Sequence, residues 1–148
     1  MNSKAVRGFT LIELLVTIGV LAVVAAGILA AINPLEKLRQ GTDSRVMSDI
    51  GSIATAAQSF ATTNMGGYAK TAAELAPNEL TILPVAPAGY TAYTYTTSPG
   101  TCTTAAGDCA SVVISGQLRA AKYSATPFYV YCTSNNKAGP SALATTCP

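Results

Sequence analysis

The hydrophobic pattern changes character three times along the chain. A short polar segment, residues 1–8, carries Lys4 and Arg7 and no acid. Phe9 to Ile32 is then continuously apolar, with a single charge at Glu13. About 20 apolar residues span a bilayer as a helix, so this run is long enough to cross one. Beyond Asn33-Pro34 the pattern becomes periodic. Val46, Met47, Ile50, Ile53, Ala54, Ala57 and Phe60 recur at steps of three and four, with Arg45, Asp49, Ser52 and Gln58 off the stripe. That spacing predicts an amphipathic helix. Pro34 predicts a kink between the two halves, with one helix running from Phe9 to about Thr63. Asn64, Gly66 and Gly67 end it.

The remainder, 64–148, reads differently. Residues 68–89 form a connecting loop punctuated by Pro77, Pro84 and Pro87, in which Thr71 and Glu74 have capping-box spacing for a short helix. Three runs rich in β-branched and aromatic residues follow: Tyr90 to Thr97, Ala110 to Leu118, and Phe128 to Cys132. The expected architecture is α+β, with a small antiparallel sheet laid on the amphipathic half of the helix. Tyr93, Tyr95, Tyr129 and Tyr131 are expected on a sheet face, packing on each other or on a neighbouring subunit.

Glu13 changes the reading of the apolar run. A carboxylate within a spanning helix costs up to roughly 2.5–3.5 kcal/mol, so a plain anchor gains nothing by holding one. Its presence points to a partner for that charge. The basic leader places the N-terminus on the cytoplasmic side and the rest of the chain outside. A cleavable secretory signal, cut after Ala26 or Ala31, fits poorly, because its apolar core would need only roughly 7–15 residues.

Gly8-Phe9-Thr10-Leu11-Ile12-Glu13, after a short basic leader and before a long apolar helix, resembles the start of a type IV prepilin. That family includes pilins, minor pilins and secretion pseudopilins. The resemblance implies cleavage by a prepilin peptidase between Gly8 and Phe9, and methylation of the new Phe9 amine. It implies that Glu13 pairs with the N-terminal amine of a neighbouring subunit. It further implies self-assembly through the apolar helix, with a pilus assembly platform as partner. The expected organisation is a leader over 1–8, a transmembrane and assembly helix over 9–32, its amphipathic continuation over 33–63, and a β-sheet head over 64–148. The precursor would sit in the cytoplasmic membrane, and the assembled subunit at the cell surface. The resemblance is tight over 7–32 and rests on pattern alone beyond. A secretion pseudopilin, a minor pilin and a membrane-anchored binding domain are the alternatives.

Composition narrows the chemistry. Removing Lys4 and Arg7 leaves a neutral chain, and only 11% of residues are charged. No basic patch gathers phosphates, so nucleic acid is not expected as the main partner. No His is present to act as the base of a serine triad, and Asp108 is the only acid after Glu79. An enzyme is therefore not expected, nor a cofactor. The four cysteines, Cys102, Cys109, Cys132 and Cys147, all follow the membrane helix and read as two disulfides of an exported domain. Four cysteines allow three pairings; the short loops favour Cys102–Cys109 and Cys132–Cys147. Zinc would want closer ligand spacing and usually His. Calcium, which family pseudopilins often bind near the C-terminus, wants several carboxylates, and none follows Asp108. No metal is expected. The Cys132–Cys147 loop resembles the disulfide-bounded C-terminal loop of many pilins.

Overall fold

The computed structural model describes residues 8–104 and 107–148. Residues 1–7, which hold most of the expected leader, lie outside the described residues, as do Ala105 and Ala106 within the Cys102–Cys109 loop. The chain divides into two compact units, Met1–Lys37 and Leu38–Pro148.

The first unit contains helix α1, Leu11–Ala31. At about 1.5 Å per residue its 21 residues extend about 31 Å, the thickness of a bilayer's hydrocarbon core. None of its residues is buried. Among the described residues it is the one helix long and apolar enough to cross a membrane. The expected single helix is in fact two. Helix α1 closes at Ile32, whose N–H donates to the Ile28 carbonyl. Helix α2, Pro34–Thr63, starts afresh. Pro34 has no N–H to continue the ladder and sits at the first helical position, where none is needed. The Asn33 side-chain oxygen accepts the Glu36 N–H at 3.3 Å, as a capping residue does. The proline that reads as a kink is a stop and a restart.

The second unit is an α+β head. Four antiparallel strands, β1 (Thr94–Ser98), β2 (Ser111–Gln117), β3 (Phe128–Cys132) and β4 (Lys137–Ser141), pair in chain order. Strand β4 lies inside what the sequence reads as a final loop. Its Lys-Ala-Gly-Pro-Ser has no β-branched or aromatic residue, and Pro140 is tolerated because β4 is an edge. What places it is the tight connection at 133–136, where Asn136 takes a left-handed φ of 52°.

One sheet face meets α2. Register aligns Tyr95, Ile114, Tyr131 and Ala138 across the four strands. Val112 and Ile114 on this face pack with Val46, Ile50, Ile53 and Ala57 of α2 in one core. Leu75 joins them from a 3₁₀ turn, Ala72–Leu75, that follows Thr71. Helix and sheet approach closely at Gly116. A Cβ there would stand 2.7 Å from Val46 Cγ1 and 3.0 Å from the Tyr93 ring. Gly116→Ala therefore forces α2 or Tyr93 outward and should cost about 1–3 kcal/mol, read as a lowered denaturation midpoint. An unchanged midpoint would mean that α2 does not pack on β2 in this register.

Candidate functional site

Gly8, Phe9, Thr10 and Glu13 meet at the start of α1. Thr10 is the N-cap, in extended geometry. Its N–H donates to Glu13 Oε2 at 3.0 Å and its hydroxyl to the same oxygen at 2.8 Å. In return, Thr10 Oγ1 accepts the Glu13 N–H at 3.3 Å. This is a reciprocal capping box, and it satisfies donors that a helix end otherwise leaves open. Glu13 Oε2 is engaged within its own chain, while Oε1 makes no hydrogen bond among the described residues. Phe9 is 77% exposed. Among the described residues, nothing lies within 4 Å of where a Gly8 side chain would begin. The role of Thr10 escaped the sequence reading, although Thr and Glu three apart before an apolar run is a legible signal.

In the head, polar anchors hold the loops to α2. Asp43 is buried and accepts three donors: Tyr90 Oη at 2.7 Å, the Arg119 N–H at 3.0 Å and the Ala120 N–H at 2.8 Å. Arg119 closes the arrangement, donating from Nη1 to the Gly89 carbonyl and lying 5.7 Å over the Tyr90 ring. Nothing in the sequence distinguishes this aspartate from a solvated one. Tyr93, Tyr95 and Tyr131 pack against or within the core, and their hydroxyls are hydrogen-bonded. Tyr93 donates to Asp49 at 2.7 Å, Tyr95 to the Ala69 carbonyl at 3.1 Å, and Tyr131 to Asn136 Oδ1 at 2.7 Å. Tyr129 packs against the core, half-buried. Burial, and then the Asp43 carboxylate, push Tyr90 up to about 12. A phenol held above its unfolded value favours the fold up to the unfolded pKa near 10, and loses that contribution as pH rises through about 12.

The cysteines pair as Cys102–Cys109 and Cys132–Cys147, with S–S distances of 2.04 and 2.08 Å. The first closes the β1–β2 tip. That tip is docked on the segment after α2: Tyr68 N–H reaches the Cys109 carbonyl at 2.9 Å and Lys70 N–H reaches Thr104 Oγ1 at 2.7 Å. Glu74 accepts from the Thr104 and Thr71 hydroxyls. Burial works to raise Glu74, but these hydroxyls and the Lys70 N–H outweigh it and hold the carboxyl below its ordinary value. Asp108 lies beside Cys102 and Cys109, close enough to form a metal-like cluster. Both sulfurs are consumed in the disulfide, and Asp108 accepts the Thr103 N–H at 2.7 Å. That donor set does not fit a metal.

A cavity of about 420 Å³ lies between β1 and the 83–86 segment, walled by Ile53, Leu83, Val85, Tyr93, Tyr95 and Ile114. It presents ring faces and aliphatic carbons, since the hydroxyls of Tyr93 and Tyr95 point to protein acceptors.

Residues 3–29 match the family described as the prokaryotic N-terminal methylation motif. That motif is characteristic of type IV prepilin-like proteins, a structural rather than catalytic family. It implies processing by a prepilin peptidase and pilin-type assembly. Together with the apolar α1 it fits membrane anchoring. The matched stretch contains the whole capped start of α1 and none of the head. No curated protein and no solved structure gives a significant match to the chain.

Proposed function

We propose that the chain is a structural subunit of a type IV pilus-like filament, cut between Gly8 and Phe9 and assembled through α1. The observation that carries this reading is the coincidence of two features in one stretch. The methylation motif covers residues 3–29, and it overlies a 21-residue apolar helix with no buried residue. Such a surface must be covered, by lipid before assembly and by other subunits after it.

The mechanism follows from the charges. Cleavage after Gly8 creates an amine at Phe9, one residue before the capping box. A cation carried into an apolar bundle needs a counter-charge, because a lone one costs several kcal/mol. Glu13 of a neighbouring subunit is the available carboxylate: its Oε2 is steadied by Thr10, leaving Oε1 to receive the amine. The pairing sets the axial register between subunits. The heads coat the outside, with the precursor's N-terminus on the cytoplasmic side. A pseudopilin or a minor pilin would share the processing and differ in what it builds.

Electron microscopy of cells lacking and expressing this chain tests the assignment. Surface filaments that depend on the chain and bind an antibody to its head along their whole length are expected. Label confined to the tip would make it a minor pilin. Unaltered, unlabelled filaments would refute the proposed role.

A further inference from the structure

We propose that the last seven residues, 142–148, are a redox-released strap over the outer sheet face, latched by Cys132–Cys147 and opened by a dithiol reductant. The two disulfides differ in access. Cys102 and Cys109 are 2% and 0% exposed, and Cys132 is 0% exposed. Cys147 is exposed. Exposed disulfides are the labile ones, since exchange begins with a thiolate reaching a sulfur.

Besides the disulfide, the strap is held by long contacts, among them Ser134 Oγ to Cys147 Sγ at 3.9 Å. Its backbone hydrogen bonds are long: Leu143 N–H to Ser141 Oγ at 3.4 Å and Thr146 N–H to the Leu143 carbonyl at 3.5 Å. Asn135 Nδ2 reaches the Pro148 carbonyl at 3.5 Å. Leu143 is 61% exposed. The segment before it is anchored independently, because β4 pairs with β3 over five residues. Opening the disulfide therefore frees the strap and leaves the sheet standing. The strap crosses the sheet face opposite α2. It is bonded to Cys132 and packs Pro148 3.3 Å from where a Gly139 side chain would begin. Between these contacts lies Val130, the cross-strand partner of Gly139, with no exposure. Release uncovers the half-buried Gly139, against which Pro148 packs, beside its cross-strand partner Val130.

The chemistry balances. A thiolate of the dithiol attacks Cys147 Sγ, and Cys132 Sγ leaves and takes a proton. The donor's second thiol then closes on its first sulfur, and Cys147 departs as a thiol. Two electrons pass from the dithiol to the chain.

The test uses the processed full-length chain in detergent micelles, with graded dithiothreitol, alkylation of freed thiols and peptide mass spectrometry. Cys132 and Cys147 should be alkylated about tenfold sooner than Cys102 and Cys109. Amide exchange in 142–148 should rise on opening, while β1, β2 and β3 stay protected. Cys147→Ser should show the same free strap with no reductant. Three results would overturn the proposal: Cys102–Cys109 opening first or together with the other pair; a strap equally protected after its disulfide opens; or loss of sheet protection along with the strap. The wild-type measurement decides even if Cys147→Ser does not fold.

Discussion

Cells whose only copy of the chain carries Glu13→Ala will insert it in the membrane and build no filaments. Insertion should be at least as efficient as for the native chain, since an apolar helix has lost a charge. Assembly should fail because the Phe9 amine of the next subunit enters the bundle unpaired. A penalty near 3 kcal/mol corresponds to about 100-fold or more in association, enough to empty the cell surface. The capping box makes a second substitution necessary, because alanine removes both the charge and the carboxylate half of the box, leaving only the Thr10 Oγ1 bond to the residue 13 N–H. Glu13→Gln separates them. Glutamine at this position still reaches back to the Thr10 N–H, so the cap survives and the charge does not. If pairing with a cation is the function, Glu13→Gln fails as completely as Glu13→Ala. Normal filaments from Glu13→Gln beside none from Glu13→Ala would reduce Glu13 to a helix cap. Normal filaments from both would remove it from assembly altogether.

The largest stability loss in the head is expected at Asp43→Ala. The aspartate lies 1% exposed and collects the Tyr90 hydroxyl and the N–H groups of Arg119 and Ala120. Truncation leaves these donors without an acceptor in a buried site. Each orphaned donor costs about 1–3 kcal/mol, less where water can enter, so a total of about 3–5 kcal/mol follows. For a head of this size that lowers Tm by roughly 10 °C or more. Thermal unfolding of the full chain in micelles, followed by tyrosine near-ultraviolet dichroism, reads it directly. The pH axis gives an independent check through Tyr90. Its phenol is held up partly by Asp43, so it should titrate nearer the ordinary tyrosine value in the variant. A fall in Tm under about 2 °C would mean that the network is solvated and anchors nothing.

What the sequence reveals depends on how local the determining interaction is. The membrane helix is legible because apolar length alone decides it, and the amphipathic stripe because a period of 3.6 is written into residues 46–60. Strands β1, β2 and β3 announce themselves through runs of Val, Ile, Tyr and Thr. Strand β4 does not, because an edge strand with Gly139 and Pro140 owes its existence to the hairpin that returns it to β3. The break at Asn33-Pro34 was in view as a kink. Deciding between a bend and a new helix needed the side chain of Asn33, which caps α2. Asp43 was invisible for another reason. A lone acid between Thr42 and Ser44 looks solvated, and only the folding of residues 90, 119 and 120 onto α2 buries it. At the N-terminus, the Glu13 charge stood out, while the hydrogen bonds that occupy it within its own chain became evident only from the geometry of Thr10.

The claim that the chain is processed at Gly8 and assembled through α1 is tested most directly by the mass of the N-terminal peptide in filaments sheared from cells. The subunit is expected to begin at Phe9, with one methyl group on its amine. A subunit that still begins at Met1, or one that begins at Gly27 or Ile32 after an ordinary signal-peptide cut, would contradict it.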